Sequence, residues 1–481
     1  MKPFIGRARE LAELDATARL PGAKLIVIKG RRRVGKSRLA REFGKRHAAM
    51  SLYYLTGLPP STPAAAQSER EHFAKQLARV FEVPMPKASH WDELLWHLAD
   101  RVKDGHAIVI LDEINWIGRS DPQFSSKLWA LWETELCKLN EFILILSGSL
   151  AGWIDDQFSS HTGYLGRISW NMTLEELPIQ DALRFFGARR ERISIHEQLM
   201  ILLVTGGIPR YLEEIDAKRT AEDNLKRLCF SPPGLLFSEY DQLMNDLFQR
   251  NNRVYRDIVE ALIERPLTLT ELHAAISRHK SGVISNYVED LEKSGFLMRH
   301  HTWNPRTGRP SNRYKIRVID NYLRFYLKAI RPAATRVKAG LDALPANLYG
   351  LLGLQFENLV LKNKRLLLSA LSIPPEDIVR EGPYFQNQTR KHAGCQIDYL
   401  VQTRHSLYIV EIKFSRSPLP SAIIEEVRSK VLALITPKHL SIRPVLVHVN
   451  GVVDAVENAD YFDHVVNFGE LATSSEPYAH A

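Results

Sequence analysis

The residues best suited to chemistry lie in one stretch near the start of the chain. Gly30 and Gly35 are followed by Lys36 and Ser37, which completes the spacing G-x-x-x-x-G-K-S. The two glycines let the backbone curl so that successive N–H groups point at phosphate oxygens. The lysine then reaches the β- and γ-phosphates, and the serine hydroxyl binds Mg²⁺. The predicted phosphate-binding residues are Gly30, Arg31, Arg32, Arg33, Val34, Gly35, Lys36, Ser37 and Arg38.

A second polar cluster follows the apolar run 107–111. Asp112 and Glu113 end this run, as an acidic pair does at the tip of a buried strand in nucleoside triphosphatases. Asp112 would belong to the Mg²⁺ shell, and Glu113 would orient and deprotonate the attacking water. Ser147 or Ser149, at the end of the next apolar run, would sense the γ-phosphate.

Two arginines could stabilise charge in the transition state. Arg167 follows Gly166, and Arg210 ends a Gly-Gly-Ile-Pro-Arg segment. Guanidinium groups commonly offset the charge that develops during phosphoryl transfer. Surface ion pairing is the alternative interpretation for both residues.

The elements that must position these residues alternate between strand and helix. Apolar runs at 25–28, 52–55, 107–111 and 142–146 are separated by helical patterns, which predicts right-handed βαβ crossovers and a doubly wound parallel sheet. Ligands bind such sheets at the carboxyl ends of the strands, where the polar residues above are expected. The fold class is therefore α/β, with a P-loop nucleotide-binding core.

A third group of charged residues lies near the carboxyl terminus. Asp398 lies within the mainly apolar segment 397–401, Glu411 and Lys413 lie two apart on another, and Glu357 belongs to a preceding helical pattern. The three carboxylates Glu357, Asp398 and Glu411 could hold Mg²⁺ or Mn²⁺, and the metal would activate water for attack on a phosphodiester. Lys413 would position that water or offset the developing charge. An inert scaffold or an ion-paired strand end is the alternative.

The order of these charged residues, a helical Glu, then Asp, then E-x-K, resembles the PD-(D/E)xK nuclease superfamily. The departure is Ile397, where proline often stands. The resemblance implies a metal-dependent nuclease fold for the end of the chain.

Between the two sites, three short helical patterns precede two strand patterns joined by a turn at 304–310, which predicts a winged helix-turn-helix. Ser281, Ser285, Asn286 and Glu289 would be exposed on the recognition helix. Arg306, Arg309 and Arg313 of the wing would contact phosphates, and Arg278, His279, Lys280, Arg299, His300 and His301 would add positive charge. A protein-contact module is the alternative. The predicted units are a P-loop core at 1–173, a helical lid at 174–245, a winged helix at 246–320, a helical connector at 321–349 and a nuclease-like domain at 350–481.

Composition favours a polyanionic partner inside the cell. The formal net charge is +9 and the pI is about 9.3, as expected for a protein that binds phosphates of a polyanion; a merely solvated basic surface is the alternative. Cys137, Cys229 and Cys395 are far apart, which indicates buried thiols in a reducing compartment. No apolar run is long enough for a bilayer, and the first residues lack the pattern of a signal peptide. We expect a cytoplasmic protein without a membrane partner.

Several motifs together look like the archaeal-type ATPase family, which is related to AAA+ and STAND ATPases. They are FIGR at 4–7, the arginine-rich loop, DEI at 112–114, SGS at 147–149, GR at 166–167 and GGIP at 206–209. Members often carry a winged helix and a restriction-endonuclease-like domain, so the resemblance covers nearly the whole chain. It implies ATP as the nucleotide, in agreement with the lack of an N-K-x-D guanine-reading motif.

The sequence thus predicts ATP hydrolysis with Mg²⁺, coupled to DNA binding and metal-dependent DNA cleavage. One alternative is a signalling ATPase or transcriptional regulator with an inert nuclease-like domain. Another is a chaperone-like remodeller that forms ATP-dependent rings. Homo-oligomerisation, and an arginine supplied by a second copy, remain open.

Overall fold

The amino-terminal part contains a parallel sheet of five strands in the order β2-β3-β4-β1-β5. We describe residues 3–59, 66–159, 166–248, 252–276, 281–341, 344–390 and 393–474 of a computed structural model. β3 and β4 are buried along their whole length because helices cover both faces of the sheet. The strands are β1 Lys24–Lys29, β2 Ser51–Thr56, β3 Ala107–Asp112, β4 Phe142–Gly148 and β5 Ile168–Thr173.

The predicted parallel sheet is confirmed, but the sequence pattern missed one edge strand. β5 pairs with β1, and buried and exposed positions are mixed along it because only one of its edges is paired. Such a strand lacks the continuous apolar run that identifies the buried strands. The helices of this part are α1 Ala8–Ala18, α2 Lys36–Arg46, α3 Ala66–Val80, α4 Trp91–Val102, α5 Ile114–Ser120, α6 Phe124–Thr134 and α7 Ala151–Ile154.

A helical segment follows the sheet and packs against it. Its second helix begins with Ser194, whose side chain accepts a hydrogen bond from the Glu197 amide. The residues of this helix from Gln198 onward are buried, as expected for an element enclosed by others. The helices are α8 Ile179–Leu183, α9 Ile195–Thr205, α10 Pro209–Leu212, α11 Ala221–Cys229 and α12 Leu235–Phe248.

Three helices and an antiparallel hairpin come next, in the order that the sequence predicted. Asp290 and Lys293 of the third helix lie against Gly152 of α7, where an added Cβ would be 3.4 Å from each. One side of the predicted recognition helix is therefore covered, and DNA contact by it stays a prediction. Arg278, His279 and Lys280 lie outside the described residues. The elements are α13 Asn252–Leu262, α14 Leu269–Ala275, α15 Ser281–Lys293, β6 Leu297–Trp303 and β7 Pro310–Val318.

The connector contains two helices. α16 Asn321–Phe325 passes through a π turn at 326–330 into α17 Arg331–Lys338. Pro332 lies in the first turn of α17, where its missing N–H does least harm.

The carboxyl-terminal part contains a mixed sheet in the order β12-β11-β10-β9-β8. β10, β11 and β12 are parallel, and β9 and β8 are antiparallel to their neighbours. Among the described residues, no helix has the length and apolar character needed to cross a bilayer. The elements are α18 Leu348–Lys362, α19 Lys364–Ala370, β8 Ile378–Gln386, β9 Cys395–Thr403, β10 Ser406–Ile412, α20 Ala422–Ala433, β11 Ser441–His448, α21 Asp454–Glu457, β12 His464–Asn467 and α22 Phe468–Thr473.

Candidate functional site

The loop between β1 and α2 has the backbone shape that its glycines predict. Gly30 and Gly35 have φ values of 146° and 102°, and Arg33 between them has φ 70°. The Lys36 side chain is buried and curls back over the loop, donating to the carbonyl oxygens of Gly30 at 2.9 Å and Arg31 at 3.0 Å. Successive amides in such a loop form a concave donor surface suited to phosphate.

Lys36 lies within electrostatic range of the acidic end of β3. Burial lowers the pKa of its ammonium group, and the charges of Glu113 and Asp112 partly offset that effect. β1 and β3 are both parallel to β4, which lies between them, so their carboxyl ends meet at one edge of the sheet. The structure therefore brings the predicted phosphate loop and acidic pair together.

Hydroxyl groups hold both carboxylates of the acidic pair. Ser147 and Tyr54 each donate to Asp112, and Ser149 donates to Glu113 at 2.8 Å. In the structure both serines orient the carboxylates, and the sensing of a γ-phosphate by one of them stays a prediction.

Sequence reasoning missed two polar residues beside this pair. Burial and Asp112 raise the pKa of Tyr54, so its hydroxyl remains a donor. Thr56 is the register partner of Asp112, and Tyr54 lies two residues earlier on the same face of β2. The contact between Tyr54 and Asp112 can therefore be predicted only when the register of the two strands is known. Buried Asn115 accepts from the Ser149 amide at 3.0 Å.

Gly30 also fits closely against the segment after β5. A Cβ added there would overlap the backbone carbonyl of Leu174, whose amide donates to Lys29 at 2.6 Å. We expect Gly30→Ala to lower the free energy of unfolding by about 1–3 kcal/mol more than Gly22→Ala, because strained backbone adds to the clash. Gly22 has φ 79° and no described atom within 4 Å of its added Cβ, so it is the matched control. Urea unfolding of both variants measures the difference; equal losses would contradict the close fit.

The arginine side chains of the loop contact protein carboxylates. Arg31 is buried and pairs with Asp320 at 2.5 Å and Glu176 at 3.6 Å. Burial alone would lower the pKa of Arg31, but Asp320, Tyr211 and Glu176 raise it above the ordinary arginine value. The Arg31 side chain is therefore held by protein carboxylates, and a nucleotide contact through its backbone stays a prediction.

The neighbouring arginines are held in related ways. Arg33 pairs with buried Glu239, and Arg38 pairs with Glu213. Burial is the largest cause that lowers the pKa of Arg32, and the charge of Arg33 lowers it further. The charge of Glu113 acts in the opposite direction. Arg7 is buried as well and donates to the Val34 carbonyl at 3.1 Å, which fixes the loop from its other side.

The structure separates the two candidate transition-state arginines. Arg167 immediately precedes β5, which runs parallel to β1, so it lies at the amino edge of the sheet, opposite the phosphate loop. It pairs with Glu133 at 3.2 Å. The predicted role of Arg167 at this chain's own phosphate site is therefore wrong. Arg210 follows Pro209, which lies against Gly35, but it pairs with Glu214 at 2.5 Å.

At the other candidate site, Asp398 and Glu411 come together near the ends of β9 and β10. Asp398 accepts from the Ile412 amide at 3.0 Å. Burial and the charge of Glu357 raise the pKa of Asp398 to about 6, and burial and Asp398 raise the pKa of Glu411. Lys413 is 2.8 Å from Glu411, as the E-x-K spacing predicted.

The three predicted carboxylates each have a protein partner. Glu357 pairs with Arg317 at 2.8 Å, Asp398 accepts from the Ile412 amide, and Glu411 is shared by two lysines, so a metal role for them stays a prediction. Within the described ranges, no group of three His, Cys, Asp or Glu residues is arranged to hold a metal. The remaining cluster is two carboxylates and their lysines.

Sequence reasoning missed two members of this cluster, both on α20. Lys430 contacts both oxygens of Glu411 at 2.7 and 2.6 Å, and Glu426 is 2.6 Å from Lys413. A cavity of about 360 Å³ opens beside Asp398 and Lys430. The i,i+4 spacing of Glu426 and Lys430 was visible in the sequence, but their position over β10 was not.

Comparisons with known proteins agree with the amino-terminal geometry. Residues 4–215 match a family described as an ATPase domain predominantly from Archaea. An uncharacterized protein of Methanocaldococcus jannaschii is 24% identical over 401 residues, which cover 82% of this chain and 84% of that protein.

Two solved structures are more distantly similar. The Walker-type ATPase of Pyrococcus abyssi has a TM-score of 0.49 and 16% identity, covering 68% of this chain and 96% of that one. The ORC2 protein of Aeropyrum pernix has a TM-score of 0.41 and 13% identity, covering 71% and 97%. The phosphate loop and the acidic end of β3 both lie within residues 4–215, which are similar in sequence to the ATPase domain found predominantly in Archaea.

Proposed function

We propose that this chain binds and hydrolyses ATP at the phosphate loop and uses the nucleotide cycle to control a DNA-contacting carboxyl-terminal half. One observation supports ATP binding and hydrolysis: Lys36 is buried in the loop, close enough to Asp112 and Glu113 for their charges to act on its ammonium group. A buried lysine beside two carboxylates, facing a concave row of amides, suits a bound triphosphate. The reducing compartment suggested by the scattered cysteines favours action in the cytoplasm.

The donors near the loop fit Mg²⁺. Asp112 supplies a carboxylate and Ser37, at the start of α2, supplies a hydroxyl, which are the hard oxygen ligands that this ion prefers. Bound there, Mg²⁺ would neutralise phosphate charge. Ser147 and Tyr54 fix the Asp112 carboxylate, so its orientation does not depend on a ligand.

Glu113 is the candidate base. It follows Asp112 directly, has φ 50° and accepts from Ser149, so the turn after β3 aims its carboxylate away from the strand. In this position Glu113 would accept the proton of the attacking water. Lys36 and the loop amides would stabilise charge on the phosphate oxygens.

α9 offers a physical link between the two halves. Its eleven residues span about 16 Å. Near its start, the His196 ring stacks on Phe414, with centroids 4.9 Å apart, and Phe414 follows Lys413 directly. Beyond its end, Pro209 lies against Gly35 of the phosphate loop. If bound nucleotide displaced Pro209, α9 would move as a rigid body toward the cluster of Asp398, Glu411 and Lys413.

Metal-dependent DNA cleavage is the second candidate function of the carboxyl-terminal half. Asp398 lines a cavity and lies beside Glu411, which pairs with Lys413 at 2.8 Å; two carboxylates with a lysine can bind a metal and activate its water. A regulatory ATPase with an inert fold is the competing proposal.

We expect the full chain to nick or linearise plasmid DNA with Mn²⁺ and ATP, and Asp398→Asn to reduce the rate by at least about 10²-fold, the order expected when a catalytic group is removed. Lys413→Ala should give a similar loss. Asp460→Asn, at an exposed position of the same half, is the matched control and should cut normally. Gel electrophoresis of the products gives the rates, and phosphate release measured alongside gives the ATPase rate.

The possible outcomes separate the proposals. Phosphate release without cutting of any DNA form favours the regulator. Cutting that survives Asp398→Asn and Lys413→Ala excludes this cluster as its source. Without phosphate release from Mg²⁺-ATP, the ATPase proposal itself fails.

A further inference from the structure

The Asp112 carboxylate is held from both neighbouring strands of the amino-terminal sheet. One of its oxygens accepts a hydrogen bond from the Ser147 hydroxyl on β4, and the other accepts from the Tyr54 hydroxyl on β2. β3 lies between these two strands, so the donors approach from opposite sides. Asp112 is 3% exposed, and a buried carboxylate with a donor on each oxygen is fixed in one orientation.

Tyr54 is in turn held by a residue of α2. The Cζ atom of the Arg41 guanidinium lies 3.7 Å from the centroid of the Tyr54 ring. A guanidinium over an aromatic face is attracted by the electrons of the ring. The Tyr54 side chain is half-buried on the edge strand of the sheet, and exposed Arg41 covers it from outside. The ring is therefore fixed at both ends, by Arg41 on its face and by Asp112 at its hydroxyl.

Arg41 shares its helix with the second oxygen ligand expected for Mg²⁺. Ser37 and Arg41 are four residues apart on α2, so they lie on one face of the helix, about 6 Å apart along its axis. The contacts from Arg41 through Tyr54 to Asp112 thus connect the helix that carries Ser37 with the strand that carries Asp112.

We propose that Arg41 and Tyr54 are positioning residues for Mg²⁺ at the phosphate loop. The Tyr54 hydroxyl sets the direction in which Asp112 presents its remaining lone pairs, and Arg41 keeps the Tyr54 ring in place. Both residues act through Asp112. Groups that orient a metal ligand contribute to metal affinity, and their loss typically costs about 10–100-fold. The inference rests on the proposed ATP-binding function and adds which residues set its Mg²⁺ requirement.

The first test measures ion affinity without turnover. A fluorescent, non-hydrolysable ATP analogue is bound to the full chain while Mg²⁺ is titrated, and electron paramagnetic resonance of Mn²⁺ gives the affinity for the ion itself. Tyr54→Phe keeps the ring beneath Arg41 but removes the donor to Asp112. The Mg²⁺ concentration at half-saturation should therefore rise about tenfold or more.

Tyr53→Phe is the matched control. Tyr53 is the preceding residue of β2, so its side chain lies on the opposite face of the strand, where its ring packs on Phe81 with centroids 4.4 Å apart. The substitution removes the same hydroxyl group from the same strand without touching Asp112, and it should leave the Mg²⁺ dependence unchanged.

Turnover separates positioning from a loss of structure. Phosphate release by Tyr54→Phe at saturating Mg²⁺ should stay within about threefold of wild type, because binding and not the chemical step is altered. Glu113 also keeps its hydrogen bond from Ser149 in this variant. The Mg²⁺ concentration for half-maximal rate should rise with the binding constant. A damaged fold would instead lower the rate at every Mg²⁺ concentration.

A double-mutant cycle tests the part assigned to Arg41. Arg41→Met removes the cation above the ring and should raise the half-saturating Mg²⁺ concentration in the wild-type chain. In Tyr54→Phe it should have no further effect, because the ring no longer carries a hydroxyl to position. Lys45→Met removes an exposed positive charge one turn further along α2 and should not change the Mg²⁺ concentration in either chain.

The outcomes distinguish this inference from the function on which it rests. A wild-type chain that does not bind the analogue at any Mg²⁺ concentration overturns the proposed function itself. Binding that depends on Mg²⁺ in the same way in wild type and Tyr54→Phe overturns the inference and leaves the function standing. An equal shift in Tyr53→Phe also overturns it. Independent, additive shifts from Arg41→Met and Tyr54→Phe would show that Arg41 does not act through Tyr54.

Discussion

Glu113→Gln is expected to bind ATP like the wild-type chain and to hydrolyse it about 10²–10⁴-fold more slowly. The amide keeps the size of the side chain and can still accept the hydrogen bond from Ser149, so the turn after β3 is preserved. An amide cannot take a proton from water, and loss of a positioned base costs a factor of this order. Phosphate release measures turnover, and equilibrium binding of a fluorescent ATP analogue measures affinity.

Two controls make the result specific. Glu93→Gln, an exposed substitution in the first turn of α4, should leave both quantities unchanged. Lys36→Ala should lose binding, because the lysine that faces the phosphates is removed. Normal turnover by Glu113→Gln would show that water is activated by another group.

Arg31→Ala is expected to lower the free energy of unfolding by about 3–5 kcal/mol. Removing one member of a buried ion pair leaves the other charge without compensation, and Asp320 is fully buried. Arg31 also lies over the rings of Phe296 and Tyr211, at 5.3 and 5.7 Å from their centroids, so truncation opens space as well. Urea unfolding of the full chain measures the change. Arg9→Ala, which breaks an exposed pair with Glu13, should cost less than about 1 kcal/mol.

A double substitution separates charge from packing. Asp320 also accepts from the Leu323 amide at 2.6 Å and so caps α16, a role that asparagine can keep. Arg31→Met combined with Asp320→Asn removes both charges and should recover much of the loss. If the double variant is less stable than Arg31→Ala, the uncompensated carboxylate is not the main cost.

The phosphate site was predictable because its signals are local. The spacing from Gly30 to Ser37 and the acidic end of an apolar run are each read from a few adjacent residues, and the parallel sheet brings them together. β5 was missed because its alternating burial leaves no continuous apolar run.

The errors concern contacts between distant segments. Arg31 is 289 positions from Asp320, and no local pattern indicates that pairing. Glu357 has the residue type of a metal ligand, but its partner is Arg317 on β7. Lys430 reaches Glu411 only because α20 crosses β10. Which buried charged residues pair with one another depends on the tertiary fold, and a single sequence does not show these pairings.

The position of Lys36 has a consequence for how nucleotide enters. Its ammonium group rests on the carbonyl oxygens of Gly30 and Arg31, on the inner side of the loop. These two bonds fix the direction of the Lys36 side chain relative to the loop amides. We expect the oxygens of a triphosphate to take over both bonds, because charged acceptors bind an ammonium group more strongly than carbonyl oxygens do.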